Sequence, residues 1–258
     1  MSSLSGGLKY RYWYLRQKIF GTWIKYNVGI LLHDLNQREM KVESILDVGC
    51  GDGLYLEMLA KLDPKCLVGI DRSMEQLSLT KYNSESCPID YIQADAVLLP
   101  FRDTLFSLVF SKDLLHHERK RVGPIMMEMN RVSSDNVVIA EAARGNPLND
   151  LWIKHGHDHF FARELMKLAV SLGLQPSQYR GIHAYPWPLL PLVGVLEALW
   201  DICVSAFAVL CHLFPGLLMV PNLVSTSFLP PSFYLFYFSK RESQLQSRLG
   251  SRKVVHSG

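Results

Sequence analysis

The sequence predicts an α/β fold in which short strands alternate with helices around a mainly parallel sheet. Three observations predict it. Apolar Val42, Ile45, Leu46 and Val48 run into glycines at alternate positions, Gly49, Gly51 and Gly53. Leu54, Leu56, Met58, Leu59 and Leu62 then give a helical apolar face. Further apolar runs follow, and carboxylates stand at the tips of the first three: Asp47, Asp71 and Asp95.

The 42–53 stretch reads as a strand, a tight turn and a helix start. Such a turn lets a ligand approach bare backbone at the positive end of a helix. The spacing is G-x-G-x-G, whereas a dinucleotide fold uses G-x-G-x-x-G. Asp47, two residues before the first glycine, would repel a pyrophosphate and suit a ligand with a cationic amino group. Both features disfavour a nicotinamide dehydrogenase.

Cys66 to Asp71 is a second buried strand, and its closing carboxylate lies 24 residues after Asp47. An acid there can accept both hydroxyls of a ribose. Arg72 and Ser73 lead into a helix carrying Met74, Leu77 and Leu79. Ile89 to Gln93 is a third strand, followed by Ala94, Asp95 and Ala96. Asp95 could accept an exocyclic amine of adenine, with Leu98 and Leu99 as aliphatic neighbours of the ring. Phe106 to Ser111 is a fourth strand that runs into Lys112, Asp113, Leu114, Leu115, His116 and His117. A helix with Ile125, Met126, Met129 and Val132 on one face precedes a fifth strand, Asn136 to Glu141. Leu165, Leu168 and Leu172 mark another helix, closed by Gly173. Leu174 to His183 and Ser232 to Phe238 complete the strands.

Residues 42–141 resemble the class I S-adenosylmethionine-dependent methyltransferases, of the broad type that includes the ubiquinone/menaquinone-biosynthesis enzymes. The resemblance is carried by Leu46-Asp47-Val48-Gly49-Cys50-Gly51-Asp52-Gly53, by Gly69-Ile70-Asp71, by Gln93-Ala94-Asp95-Ala96 with Leu99-Pro100-Phe101, and by Leu114-Leu115-His116-His117. It implies a Rossmann-like seven-stranded sheet with its last strand antiparallel and helices on both faces. It also implies S-adenosylmethionine as cofactor. Asp47, Gly49, Gly51 and Gly53 would hold the methionine part, Asp71 the ribose and Asp95 the adenine amine. Cys50, Arg72, Ala96 and Ser111 are the remaining cofactor-contact candidates. The family's Lys-Pro-Gly-Gly before the fifth strand is Ser133-Ser134-Asp135 here. The chain has no Asn-Pro-Pro-Tyr motif, which disfavours methylation of base or glutamine amines.

Methyl transfer from a sulfonium is an in-line displacement, and its main demand is alignment of the nucleophile about 3 Å from the methyl carbon. No metal is required. A hydroxyl or carbon nucleophile gains from a nearby base, for which His116 and His117 are the candidates. His155, His157 and His159 have a spacing that a metal could use, but a polar loop near the substrate opening is the simpler reading.

Residues 185–231 exceed what such a domain needs. From Trp187 to Val220 the only acids or bases are Glu197, Asp201 and His212. Ile202 to Val220 is long enough to cross a membrane. Both flanking strands must join one sheet, however, so an even number of crossings is needed and the stretch is too short for two. An apolar helical insert between strands 6 and 7 is expected, either dipping into one leaflet or covering a greasy tunnel. Pro186, Pro188, Pro191, Pro215 and Pro221 bracket it.

The net charge of +3 is uneven. Residues 1–41 carry seven Lys/Arg against two acids and residues 239–258 five against one. In residues 9–30, Tyr12, Trp23 and Tyr26 lie among Lys and Arg, the composition of an interfacial helix or a lid. Five cysteines without a Cys-x-x-Cys give neither a disulfide framework nor a zinc site, and no signal peptide is expected.

The expected organisation is a basic, aromatic segment (1–41), the cofactor domain (42–184), the insert (185–231), the last strand (232–241) and a basic tail (242–258). The expected activity is methyl transfer to an apolar small molecule or lipid-like acceptor at the cytoplasmic face of a membrane, with peripheral contact through 187–220. No nucleic acid and no obligate protein partner is expected. The rival is a catalytically silent cofactor-binding regulator or scaffold of the same fold.

Overall fold

A computed structural model describes residues 28–38, 40, 42–80, 88–145, 159–182 and 233–240. The expected interfacial helix before residue 28, the His155 and His157 positions, the apolar insert and the basic tail lie outside the described residues.

The strands are β1 (Ser44–Val48), β2 (Cys66–Asp71), β3 (Asp90–Gln93), β4 (Phe106–Lys112), β5 (Ser133–Ala142), β6 (Pro176–Ile182) and β7 (Phe233–Ser239). They form one sheet in the order β3-β2-β1-β4-β5-β7-β6. β7 is antiparallel to both its neighbours, and the other pairings, among β1 to β5, are parallel. This is the seven-stranded arrangement with a reversed last strand that the motifs imply. The order reverses between β1 and β4, and a crevice opens beyond the strand ends at such a point.

The helices are α1 (28–37), α2 (Leu54–Leu59), α3 (Met74–Thr80), α4 (Val122–Val132) and α5 (Ala162–Ser171). They cover both faces, which explains why β1 and β4 are nearly continuous apolar runs. Strand alternation divides the core in two. Leu46, Val48 and Val109 pack with Ile125, Met129 and Leu165 on the α4/α5 face. Ile45, Leu108 and Phe110 pack with Leu31, Leu35 and Leu56 on the α1/α2 face. By the same alternation, Asp47 and Lys112 point toward the α1/α2 face.

α1 falls within the expected N-terminal segment, yet it is part of this core. Leu31 and Leu35 are buried, and the buried Asp34 accepts a hydrogen bond from Tyr237 Oη at 3.0 Å. Arg180 on β6 closes an ion pair on the same carboxylate. β5 starts three residues earlier than expected. α4 passes directly into extended backbone at Ser133, φ −78° and ψ 135°, with no Gly-rich turn between them. Ile182 and Phe233 are paired, and Phe233 also pairs with Ala142. The chain therefore leaves and re-enters the sheet at one point, beside the C-terminal end of β5.

Candidate active site

The turn after β1 is stapled to β2. Gly49 and Cys50 both donate their N–H to Ile70 O, at 2.8 and 2.9 Å. Gly51 donates to Asp71 Oδ2 at 3.0 Å, and Ser73 donates to Asp71 Oδ1 at 2.8 Å. The Asp71 carboxylate is thus oriented by two backbone amides and keeps lone pairs on both oxygens for a diol.

Gly49 and Gly51 have φ of 77° and 57°, in the left-handed region. A Cβ on Gly49 would lie 2.9 Å from Leu114 Cδ1. A Cβ on Gly51 would meet nothing within 4 Å, so this backbone faces open space. Gly53 caps the start of α2, beneath Tyr91.

Asp47 is 2% exposed, and its Oδ1 has no hydrogen-bond partner. Burial and then the Asp71 charge push its carboxyl up to about 8. A buried carboxylate without a partner is costly, and a cationic group is the partner that relieves it.

A cavity of about 200 Å³ opens over these strand tips. Its polar wall includes Asp71, Arg72, Asp95, Asp113, His117 and Glu118. Ile70, Ala96, Leu114 and Ile125 supply apolar wall, and Gly49 backbone also contributes. Leu98, expected beside the ring, is 76% exposed, whereas Leu99 is buried in the core. The aliphatic surface comes instead from Ile70, Leu114 and Ile125, which share no sequence neighbourhood. Asp47, Cys50, Gly51, Gly53, Ser111 and His116 are not among the residues that line this cavity. The Cys50 thiol lies against Gly69 and is pushed up by burial. Ser111 is fully buried, on the face opposite Lys112.

Asp95 is already engaged. Arg121 contacts both of its carboxylate oxygens, and this hydrogen bonding holds the Asp95 carboxyl below its usual range. Glu118 takes Arg72 Nη1 at 2.8 Å and Arg121 Nη1 at 3.2 Å. Arg72, Glu118, Arg121 and Asp95 therefore form one charged chain along the rim.

The two histidines separate. His117 lines the cavity. His116 is 7% exposed and sits behind it, with Nδ1 2.8 Å from Glu141 Oε2. Their rings are 4.1 Å apart, and His159 stands edge-on to His116 at 5.1 Å. Of the two candidate bases, His117 is therefore on the cavity wall and His116 is not. The turn folds His116 under His117, toward the end of β5.

Asp113, His116 and Glu141 bring one ligand-type atom each within 4.8 Å. The Lys112 ammonium already pairs with Asp113, and Glu141 Oε2 already shares a hydrogen bond with His116 Nδ1. The arrangement is a hydrogen-bonded cluster of charges and protons with its cation supplied by lysine. Sequence reasoning did not name Glu141, Arg121 or Glu118 as site residues. Glu141 carried the usable signal, since it closes an apolar strand as Asp71 does.

The fold and the strand-tip site define an α/β domain of the nucleoside-binding kind. Residues 46–140 match the family described as "Methyltransferase domain". A malonyl-[acyl-carrier protein] O-methyltransferase of Legionella pneumophila is 32% identical over 110 residues, 41% of this chain and 38% of that protein. A tRNA U34 carboxymethyltransferase of Shewanella sp. is 27% identical over 127 residues, 42% of this chain and 38% of that protein. The chain thus matches well under half the length of these curated relatives. A solved S-adenosylmethionine-dependent methyltransferase of Archaeoglobus fulgidus superposes with a TM-score of 0.58 at 14% identity, covering 89% of this chain and 99% of that one. That likeness is one of fold.

The residues present fit S-adenosylmethionine. Asp47 offers an unpartnered buried carboxylate to an α-ammonium, Gly51 a bare backbone face, and Asp71 two free acceptor positions.

Proposed function

We propose that the protein binds S-adenosylmethionine in the crevice beyond β1, β2 and β3 and transfers its methyl group to an apolar small molecule or lipid-like acceptor. The observation that carries the cofactor half is Asp47 Oδ1, buried at the glycine turn without a partner. Asp47 neutralises the amino-acid end, Asp71 takes the ribose hydroxyls, and Asp95 takes the adenine amine once Arg121 yields it. When bound, the cofactor supplies an electrophilic methyl group on a sulfonium. The protein then has to align the acceptor, exclude water and take up a proton. His117 stands on the cavity wall with His116 packed behind it.

The acceptor half rests on the sequence of 187–220 and on topology. The apolar stretch leaves the sheet at Ile182 and returns at Phe233, beside Ala142 at the end of β5. That is the end of the sheet where the cavity opens. The acceptors named for the two curated relatives, an acyl-carrier-protein conjugate and a tRNA, differ too much to choose between. Among the described residues no helix is long and apolar enough to cross a membrane. We infer peripheral attachment at a cytoplasmic membrane face from the insert and the basic, aromatic ends.

Calorimetric titration with S-adenosylhomocysteine and with NAD tests the cofactor half. Binding of NAD alone would reverse it. Incubation with labelled S-adenosylmethionine and separate lipid, small-molecule and RNA fractions tests the acceptor half. Label in RNA would overturn it. Flotation with liposomes tests attachment, and full solubility without flotation would remove it.

A further inference from the structure

Glu141 is a buried charged residue at the cavity end of the sheet to which neither the motifs nor the cofactor reading gives a role. It is 1% exposed, in the last turn of pairing of β5. Its two oxygens hold two successive residues of the turn after β4. Oε1 accepts the Leu115 backbone N–H at 2.6 Å, and Oε2 lies 2.8 Å from His116 Nδ1. The same turn closes on itself through His117 N to Leu114 O at 3.1 Å and Glu118 N to Leu115 O at 3.1 Å. One carboxylate therefore fixes both the backbone path that brings His117 to the cavity wall and the ring behind it.

The contact also sets chemistry. An ionised carboxylate only accepts, so the nitrogen facing it carries the hydrogen. Nδ1 is then the N–H of neutral His116, and Nε2 is its basic nitrogen. The groups around this ring are Asp113, His117 and His159 as well as Glu141.

We propose that Glu141 is a positioning residue for methyl transfer: through Leu115 N and His116 Nδ1 it holds the 114–118 turn and fixes His116 as the Nδ1–H tautomer, so that the imidazole pair formed by His117 on the cavity wall and His116 behind it can take a proton from the acceptor. This rests on the methyltransferase reading above. In the step, the acceptor's X–H bond gives its proton to the imidazole pair, X forms the bond to the methyl carbon, and the carbon–sulfur bond electrons pass to the sulfur, neutralising the sulfonium.

Glu141→Gln tests it with almost no change of shape. The amide oxygen remains committed to the obligate donor Leu115 N–H. The amide NH₂ then faces His116 Nδ1, where only an acceptor fits, and the ring must move its proton to Nε2. Imidazole ¹⁵N spectra of the full chain, with His116→Gln for assignment, are expected to show Nδ1–H in the wild type and Nε2–H in E141Q. An unchanged tautomer, or Nε2–H in the wild type, overturns the proposal.

S-adenosylhomocysteine affinity by calorimetry is expected to stay within about threefold, which shows that E141Q is folded at the cofactor end. Label transfer from S-adenosylmethionine to a lipid and small-molecule extract is expected to fall about 100-fold in kcat with KM for the cofactor held, the scale of a lost proton-transfer group. Glu141→Asp keeps a carboxylate and is expected to retain the Nδ1–H tautomer and more turnover than E141Q. Equal losses in the two variants would reduce Glu141 to packing and overturn the proposal. So would stoichiometric binding of ZnCl₂ by the wild type that E141Q abolishes, because the three donors would then be a metal site. If the wild type fails to bind S-adenosylhomocysteine, the methyltransferase reading falls, while the tautomer measurement still judges Glu141 by itself.

Discussion

Gly51 gives its backbone N–H to Asp71 Oδ2 at 3.0 Å, so the turn after β1 and the tip of β2 form one hydrogen-bonded unit. The same backbone faces open space on its other side. Gly51→Ala is therefore expected to lose only about 1 kcal/mol of stability, the cost of a methyl-bearing residue at positive φ. Its methyl group would project toward the cofactor, and S-adenosylhomocysteine affinity is expected to drop by about tenfold or more. Gly49→Ala has the opposite signature, because its Cβ meets Leu114 at 2.9 Å. We expect about 2–3 kcal/mol of destabilisation from the combined strain and clash. Thermal melts with and without S-adenosylhomocysteine separate the two.

Asp47 is expected to make ligand binding depend on pH. Its carboxyl is raised from 3.8 to about 8 by burial and by Asp71. A raised acid binds its proton more tightly in the folded state, so the stability of the ligand-free protein declines as pH rises from about 4 through 8. Asp47→Asn removes that penalty and is expected to melt higher than the wild type at pH 8, with a smaller gain at pH 5. A cationic amino group needs the ionised form. S-adenosylhomocysteine affinity of the wild type should therefore rise by up to about tenfold per pH unit between pH 6 and 8, with release of a proton. In D47N the affinity is expected to be weaker and flat with pH. Calorimetry in buffers of different ionisation enthalpy reads both quantities.

Arg121 competes for the Asp95 carboxylate. The pair is partly exposed, at 33% and 48% for the two side chains, so solvent screens it and it holds only weakly. Arg121→Gln frees Asp95 for an adenine amine and is expected to tighten S-adenosylhomocysteine binding by about two- to fivefold. Weaker binding would show that the guanidinium itself contacts the ligand.

Leu35 tests whether α1 belongs to the folded unit. It is 1% exposed in the cluster with Ile45, Leu56 and Leu108. Leu35→Ala is expected to cost about 2–5 kcal/mol by creating a cavity under the sheet. Urea denaturation of the full chain measures it. A loss below about 1 kcal/mol would mean that α1 is only loosely attached.

Features made by neighbours in the chain were legible in the sequence. The alternating glycines, the apolar strand runs and the carboxylates Asp47, Asp71 and Asp95 lie within a few residues of the turns they shape, and local sterics and periodicity determine them. The seven-stranded sheet with β7 reversed followed from the resemblance those motifs carry. The tertiary structure decided what depends on distant partners. His116 and Glu141 are 25 residues apart, and they meet because β4 and β5 run side by side in parallel. Arg121 reaches Asp95 across 26 residues, and α1 reaches Tyr237 across 203. No periodicity encodes such pairs, since a side chain's partner is set by where the sheet and its covering helices bring it. Sequence alone determined that carboxylates stand at the first three strand tips, because local periodicity places them; packing decided which histidine faces the cavity and which carboxylate stands behind it.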